Sequence, residues 1–270
     1  MKVRESIGMV GGGQMGEALV RGLIQSGLAE PGNITVAEPF AERREYLAAT
    51  YSVQVTDDSG DLAANSKVII LAVKPQIMDI VLQQYSAVIT PEHLVLSIAA
   101  GVTIKQLEKG LGGSIPLIRV MPNTPALVLA GASALSGNAK TTPEDIQRGL
   151  KIFSAVGTCV EVPENLLDAV TGLSGSGPGY VFTFIEAMID GGVLAGLPRP
   201  IAEQLVLQTV YGSAKLGLET GEAPAVLKGR VTSPGGTTIT GLQVLEEAGL
   251  RGAVMTAVAA ATDKSRALGK

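Results

Sequence analysis

A glycine-rich turn near the start of the chain constrains its fold more than any other feature. Gly11-Gly12-Gly13-Gln14-Met15-Gly16 follows a short apolar run, Ser6–Val10, and leads into a segment whose apolar residues share one helical face. A strand, a Gly-x-Gly-x-x-Gly turn and a helix in this order are typical of a dinucleotide-binding βαβ unit. Acidic Glu38 ends the next apolar run, where a ribose-binding carboxylate is expected. The turn therefore predicts a nucleotide site.

Short apolar runs alternate with helical patterns over the first 162 residues. Strands are predicted at Ser6–Val10, Ile34–Ala37, Val68–Val73, Leu94–Ala99 and Ile115–Val120, and helices at Ala41–Thr50, Ile77–Tyr85, Ile104–Glu108 and Pro143–Ala155. Repeated β-α units of this length predict an α/β fold with a Rossmann-type, doubly wound parallel sheet. After Val162 the strand patterns nearly vanish and long Ala/Gly/Leu-rich stretches follow. We predict a dinucleotide-binding domain over residues 1–162 and an all-helical domain over 163–270.

The composition favours a globular cytoplasmic protein. A chain of 270 residues with 46% hydrophobic content can bury a large core. Its net charge of −4 and 3% aromatic content disfavour a nucleic-acid partner. Its uncharged apolar runs are too short to span a membrane. Lys2, Arg4 and Glu5 leave no room for the apolar segment of a signal peptide before Gly11, and one cysteine, Cys159, excludes an internal disulfide.

Scarce residue types exclude several kinds of chemistry. The chain has one histidine, His93, and one cysteine, Cys159, so neither a metal site nor a nucleophile activated by histidine is expected. His93 lies in a turn and is interpreted as a solvated loop residue. Cys159 is interpreted as a small strand residue. With these two kinds of chemistry excluded, the remaining possibility is chemistry that a bound cofactor supplies.

A second glycine-hinged turn, Ser233 to Thr238, runs into an apolar-periodic segment near the end of the chain. The N-terminus of a helix presents unpaired N–H groups and the positive end of the helix dipole, and can hold a small anion such as a carboxylate. Thr237 and Thr238 follow the two glycines and carry hydroxyls suited to contact a substrate nitrogen. Ser233 alternatively caps the following helix. The two turns together suggest a cofactor and an acidic small substrate.

The sequence leaves the choice between NADH and NADPH open. Glu38 would accept hydrogen bonds from a ribose 2′-hydroxyl and repel a 2′-phosphate, which favours NADH. Arg43 and Arg44 would bind that phosphate if they turned toward it. Alternatively, the two arginines lie on a solvated helix face and pair with Glu42 and Glu45.

Five motifs carry the strongest functional signal: Gly11–Gly16, Ala72–Gln76, Arg119–Pro125, Gly172–Pro178 and Ser233–Thr238. In order and spacing they resemble pyrroline-5-carboxylate reductase, across nearly the whole chain. The resemblance implies hydride transfer from NADPH or NADH to the C=N bond of Δ1-pyrroline-5-carboxylate, giving L-proline in the last step of proline biosynthesis. It also implies that the second domain is a helical dimerisation domain, in a homodimer or a higher oligomer built from dimers.

The resemblance also implies the site residues, and no metal. Cofactor-binding residues are Val10, Gly11, Gly12, Gly13, Gln14, Met15, Gly16, Glu38, Ala72, Val73, Lys74, Pro75, Ala100, Met121, Pro122 and Asn123. Substrate-binding residues are Glu164, Ser233, Gly235, Gly236, Thr237 and Thr238, with Thr238 as the catalytic proton donor. Three of these segments also have an interpretation without a functional role. Lys74 would be a solvated residue at a strand end, Glu164 a carboxylate in the first turn of a helix, and Gly172–Gly177 a segment that allows close packing.

Two other functions fit parts of the sequence. A dehydrogenase of β-hydroxyacids, or another imine reductase, would share this architecture, but the first needs a lysine one helical turn beyond Gly177, where this chain has Val181. A nucleotide sensor without turnover would keep the fold alone. The complete Ser233–Thr238 turn argues against it.

Overall fold

The computed structural model describes residues 6–269, so the N-terminal residues Lys2, Arg4 and Glu5 lie outside it. Its contacts divide the chain into two compact units. The first contains the residues up to Ser176 together with those from Ala259 onward, and the second is Gly177–Val258. The boundary predicted after residue 162 thus lies within the first unit. Residues 163–176 and the end of the last helix have their contacts there, which local sequence patterns do not reveal.

The first unit is built on an eight-stranded sheet with strand order β3-β2-β1-β4-β5-β6-β7-β8. The strands are β1 Ile7–Val10, β2 Ile34–Ala37, β3 Gln54–Thr56, β4 Val68–Leu71, β5 Leu94–Ser97, β6 Leu117–Met121, β7 Gly131–Gly137 and β8 Gly157–Glu161. All neighbours are parallel except β6 and β7. The parallel doubly wound sheet is confirmed, with one antiparallel pair that the sequence did not reveal.

Helices cover both faces of this sheet. They are α1 Gln14–Gln25, α2 Ala41–Tyr51, α3 Ser59–Ala64, α4 Met78–Tyr85, α5 Ile104–Leu111, α6 Pro143–Ser154 and α7 Leu167–Val170. A π-helical turn, Thr171–Gly175, follows α7. Successive strand residues point to opposite faces. Val68 and Ile70 of β4 therefore enter one apolar cluster while Ile69 and Leu71 enter the other.

Three elements of the first unit, β3, α3 and β7, were absent from the sequence prediction, and β8 was indicated only by the interpretation of Cys159 as a strand residue. β3 has only three residues and α3 only six, too few for a periodic pattern to stand out. β7 consists of Gly-Ala-Ser-Ala-Leu-Ser-Gly, which lacks the β-branched and aromatic residues typical of strands. Its strand conformation comes from pairing with β6 and β8.

The second unit is helical. It contains α8 Gly177–Leu194, α9 Arg199–Thr220, α10 Pro224–Arg230, α11 Thr237–Glu247 and the first part of α12 Leu250–Leu268. Small residues let α8 and α9 approach closely: a Cβ on Gly192 would lie 3.3 Å from that of Ala202. No helix among residues 6–269 is long and apolar enough to cross a membrane.

Candidate functional site

The glycine turn after β1 has the backbone that its sequence predicts. Gly11 has φ +102°, a conformation that side chains disfavour, and a Cβ there would lie 2.7 Å from the Ala72 carbonyl oxygen. A Cβ on Gly16 would lie 2.3 Å from the Gly11 oxygen, so α1 starts close against the turn. Gly13 caps α1 and has nothing within 4 Å of its Cβ position. The turn thus leaves the start of α1 open to a ligand.

Two charged side chains hold the peptide groups of Gly12. The Glu38 Oε2 accepts a hydrogen bond from the Gly12 N–H at 2.9 Å, and the Arg43 Nε donates to the Gly12 carbonyl at 2.7 Å. Glu38 is 8% exposed, and its other oxygen accepts from the Phe40 N–H at 3.2 Å. The end of β2 and the start of α2 therefore fix the turn after β1.

A cavity of about 620 Å³ opens beside this turn, at the carboxyl ends of β1, β4, β5 and β6. Ligands of open α/β sheets bind at this edge. Most residues predicted to bind the cofactor line it: Gly13, Gln14, Met15, Ala72, Val73, Lys74, Pro75, Ala100, Met121, Pro122 and Asn123. The predicted residues Val10, Gly11, Gly12, Gly16 and Glu38 are not part of the lining. Four residues outside the predicted cofactor-binding set also line the cavity: Ile98, Ala99, Thr124 and Gly175.

Asn123 shapes one wall of the cavity through its own side-chain amide. Its Oδ1 accepts from the Ala132 N–H at 2.8 Å, and its Nδ2 donates to the Ser174 carbonyl at 3.0 Å. The amide thus ties the loop after β6 to β7 and to the π-helical turn. Gly175 in that turn packs against the end of the Met121 side chain, since a Cβ would lie 2.6 Å from the Met121 Cε and would require that side chain to shift. The glycine-rich segment Gly172–Gly177 therefore makes a close packing contact.

Glu164 belongs to a charged cluster inside the first unit. Its Oε1 accepts from the Ile104 N–H, at the start of α5, at 2.8 Å and lies 3.3 Å from the Arg119 guanidinium. Arg119 on β6 is 6% exposed, and Asp168 on α7 lies 3.9 Å from its other terminal nitrogen. Sequence reasoning singled out Glu164 alone, because its partners lie far away along the chain. Its substrate-binding role stays a prediction.

Arg43 and Arg44 have partners other than those expected from the sequence. Arg43 pairs with Glu17 on α1, and Arg44 lies 2.9 Å from Asp57. The alternative of pairing with Glu42 and Glu45 is wrong, because both arginines turn toward the glycine turn and the end of β2 instead of lying along the face of α2.

Glu17 accepts hydrogen bonds from three side chains at the edge of this site. Besides Arg43, it accepts from the Tyr51 hydroxyl at 2.7 Å and from the Tyr46 hydroxyl at 3.0 Å. Burial by itself raises the pKa of Glu17, but hydrogen bonds from Tyr51, Arg43 and Tyr46 outweigh it and the pKa is lowered overall. Burial, reinforced by Glu17, raises the pKa of Tyr51 to about 12. Glu17 is therefore the ionised centre of this group.

In the second unit, the turn Ser233–Gly236 enters α11 as predicted. Gly235 has φ +64°, and Gly236 is the N-cap of α11 without a side-chain cap, so the alternative that Ser233 caps the helix is wrong. A Cβ on Gly236 would lie 2.2 Å from the Ser233 Oγ, so a side chain there would require that hydroxyl to rotate away. Thr237 and Thr238 are exposed in the first turn of α11. The helix start is therefore accessible.

The two scarce residues take structural positions. His93 contacts Thr90 in its own turn and the Ala63 carbonyl through its ring nitrogens. Burial raises the pKa of the Cys159 thiol to about 12, which leaves it protonated and unreactive at neutral pH. Across residues 6–269 no cluster of histidine, cysteine or acidic side chains could hold a metal ion.

Comparisons with known proteins agree with this geometry. The family model described as pyrroline-5-carboxylate reductase dimerisation matches residues 164–268, and that described as NADP oxidoreductase, coenzyme F420-dependent, matches residues 6–101. A pyrroline-5-carboxylate reductase of Synechocystis is 52% identical over 264 residues, with 98% of each chain covered. The chain belongs to the pyrroline-5-carboxylate reductase family. Its predicted resemblance to that family is confirmed.

Solved structures of the family share the whole fold. A pyrroline-5-carboxylate reductase from Coxiella burnetii superimposes with a TM-score of 0.95 at 36% identity, covering 98% of this chain and 99% of that one. The Plasmodium falciparum enzyme, solved with NADP bound, gives 0.88 at 34% identity, with both chains fully covered. The predicted fold, a Rossmann-type sheet followed by the helical dimerisation domain of this reductase family, is confirmed.

Proposed function

We propose that this chain reduces Δ1-pyrroline-5-carboxylate to L-proline with NADPH or NADH, the last step of proline biosynthesis. Family membership over 98% of the chain is the observation that carries the proposal. The open cavity at the carboxyl edge of the sheet and the accessible start of α11 provide the two binding elements that the reaction needs.

The first unit fits a nicotinamide dinucleotide. Gly13 leaves open space at the N-terminus of α1, where free N–H groups and the helix dipole favour a pyrophosphate. The cavity continues along Ala72–Pro75 and Met121–Asn123. We assign the predicted cofactor-binding residues to this site, with Glu38 toward the adenosine ribose. The bound cofactor supplies the hydride.

The start of α11 binds the substrate carboxylate in this proposal. The Gly236 N–H already donates to the Ser233 carbonyl at 3.1 Å, so the N–H of Gly235 and the unpaired N–H groups of the first turn of α11 bind the anion, with the Ser233 hydroxyl directly over Gly236. Thr237 adds a hydroxyl in the first helical turn. The carboxylate neutralises the positive end of the α11 dipole, which fixes the orientation of the ring.

Thr238 relays a proton from solvent to the ring nitrogen: its hydroxyl donates one proton to the nitrogen and takes another from water. Its exposed hydroxyl follows the glycine hinge, within one helical turn of the anion-binding N–H groups. A protonated cyclic imine accepts hydride without a covalent intermediate, so binding and orientation supply most of the rate enhancement. This chemistry needs neither a histidine nor a metal.

The active protein is a homodimer in this proposal, or a higher oligomer built from dimers, located in the cytoplasm. The match of residues 164–268 to a dimerisation family supports the dimer. Large apolar side chains of the second unit are also exposed in the single chain, among them Phe182, Leu194, Tyr211 and Leu218. Apolar surface of this extent marks a protein interface.

The proposal is tested by an assay of cofactor oxidation. The purified protein is mixed with pyrroline-5-carboxylate and with NADH or NADPH, and absorbance of the reduced cofactor and formation of proline are followed together. Proline formed in step with cofactor oxidation supports the proposal. Folded protein that turns over neither cofactor would be a nucleotide-binding homologue without activity.

A further inference from the structure

The backbone N–H and the carbonyl of Gly12 bond to side chains of opposite charge. Glu38 accepts from its N–H at 2.9 Å and Arg43 donates to its carbonyl at 2.7 Å. In the proposed function, Glu38 faces the adenosine ribose. Because both side chains bond to the same glycine, the Arg43 guanidinium lies within a few ångströms of the place where the 2′ substituent of that ribose would be bound.

Arg43 is the cation best placed to bind a 2′-phosphate, but its guanidinium already forms an ion pair with Glu17. Glu17 pairs with the Arg43 guanidinium, which also lies 4.9 Å from the centre of the Tyr46 ring. The Tyr46 and Tyr51 hydroxyls donate to the same Glu17 carboxylate. Only 20% of the Glu17 side chain and 29% of the Arg43 side chain are exposed. Solvent therefore screens this pair less than an ordinary surface ion pair.

Arg44 is held in a different way. One terminal nitrogen donates to the carbonyls of Glu38 and Pro39 at 2.7 and 2.9 Å, and the other lies 2.9 Å from Asp57. The Asp57 side chain is 67% exposed, so water already competes for it. Both arginines near Glu38 are thus paired with a carboxylate of the protein itself. Glu17, the partner of Arg43, is more buried than Asp57, the partner of Arg44, and is held in place by two tyrosine hydroxyls.

We propose that Glu17 sets the discrimination between NADH and NADPH by holding Arg43 on the Gly12 carbonyl. With Arg43 held there, its guanidinium cannot form the two-pronged hydrogen bonds that favour a phosphate, and Glu38 adds a negative charge beside the ribose. NADH is favoured as a result. Glu17 touches neither cofactor nor substrate and acts as a positioning residue through Arg43. The inference rests on the dinucleotide site of the proposed function.

The test measures equilibrium binding of NAD⁺ and NADP⁺ by calorimetry, because the two differ only in the 2′-phosphate. Glu17→Gln keeps the size and an acceptor for the tyrosines but removes the charge that holds Arg43. We expect the affinity for NADP⁺ to rise about fivefold or more relative to NAD⁺, as charge-assisted bonds to phosphate become available. Tyr51→Phe, which removes one donor to Glu17 without changing a charge, should shift the ratio in the same direction by less.

Two controls separate this role from a general effect. Glu219→Gln removes an exposed ion pair with Lys215 within α9 and should leave both affinities unchanged. In the double variant Glu17→Gln/Arg43→Gln, the gain in NADP⁺ affinity should disappear, since no guanidinium remains to bind the phosphate. Thermal unfolding of each variant checks that it is folded.

Several outcomes overturn the inference. An equal loss of affinity for both nucleotides in the Glu17 variant would mean that Glu17 only supports the glycine turn. An unchanged ratio in both Glu17→Gln and Tyr51→Phe, or a gain that survives removal of Arg43, would show that the phosphate is recognised elsewhere. Wild-type protein that binds neither nucleotide would overturn the dinucleotide site itself, and with it the proposed function.

Discussion

The buried carboxylate of Glu38 accepts a 2.9 Å hydrogen bond from the N–H of Gly12 and so joins the end of β2 to the turn after β1. Its second oxygen accepts from the Phe40 N–H, and a carboxylate still has lone pairs for further donors. Glu38 therefore acts on the shape of the turn and on whatever approaches it. Ribose hydroxyls are donors and suit this acceptor, whereas a phosphate does not.

Replacing Glu38 by serine should shift the cofactor preference toward NADPH. The change removes a negative charge beside the ribose 2′ position and leaves a small hydroxyl. We expect the ratio of kcat/KM for NADPH over NADH to rise about tenfold, since one uncompensated charge contact contributes about 1–2 kcal/mol. Steady-state kinetics with each cofactor measure the ratio. If it stays at the wild-type value, Glu38 does not face the ribose.

Thr238→Ala should lower kcat by about one to two orders of magnitude. The loss is smaller than a full general-acid contribution because solvent also protonates the imine. Thr238→Ser keeps the hydroxyl and should retain most of the activity. Circular dichroism of both variants should match that of the wild type, since the side chain is exposed. Equal impairment of the two variants would assign Thr238 a packing role.

Asn123→Ala should destabilise the first unit by about 1–3 kcal/mol, because two partly buried hydrogen bonds of about 0.5–1.5 kcal/mol each are lost. The substitution removes the acceptor of the Ala132 N–H and the donor to the Ser174 carbonyl. Asn123→Asp keeps the acceptor for the Ala132 N–H but places a carboxylate oxygen against the Ser174 carbonyl oxygen, so it should destabilise as well. Urea denaturation gives the free energies of unfolding. A free energy equal to that of the wild type in the alanine variant would rule out this bracing role.

The Cys159 thiol should react with iodoacetamide very slowly in the folded protein. Burial favours the neutral form and raises its pKa to about 12, so the reactive thiolate is scarce at pH 8. The alkylation rate of native protein should rise about tenfold per pH unit from pH 8 to 10, as expected below the pKa. Mass spectrometry follows the modification. A rate that levels off near pH 9 would mean that the thiol has an ordinary pKa.

Features encoded by neighbouring residues could be predicted from the sequence. The glycine turn could be predicted because the three glycines that form it, Gly11, Gly13 and Gly16, have a characteristic spacing. These three positions lie within six residues, so their spacing is visible in the sequence. The strand bounds at Ile34–Ala37 agree with the structure for a similar reason, since a short apolar run between polar segments marks a buried strand. The start of α11 after Gly236 followed from the glycine hinge.

Features that depend on distant contacts could not be predicted. Glu17 and Arg43 are 26 residues apart, and Asn123 and Ser174 are 51 apart, so no local pattern connects them. β7 is a strand because its neighbours pair with it, although its small residues carry no strand signal. Charged residues such as Arg43 resemble a solvated helix face in the sequence, and only the fold shows which carboxylate they meet.

Transfer of a labelled hydride tests the proposed reduction most directly. The protein is incubated with pyrroline-5-carboxylate and with NADH or NADPH that carries deuterium at the transferable position, and the proline is analysed by mass spectrometry. We expect proline that is one mass unit heavier, with deuterium on the former imine carbon, in amounts equal to the cofactor oxidised. Unlabelled proline, or no proline from folded protein with either cofactor, would contradict it.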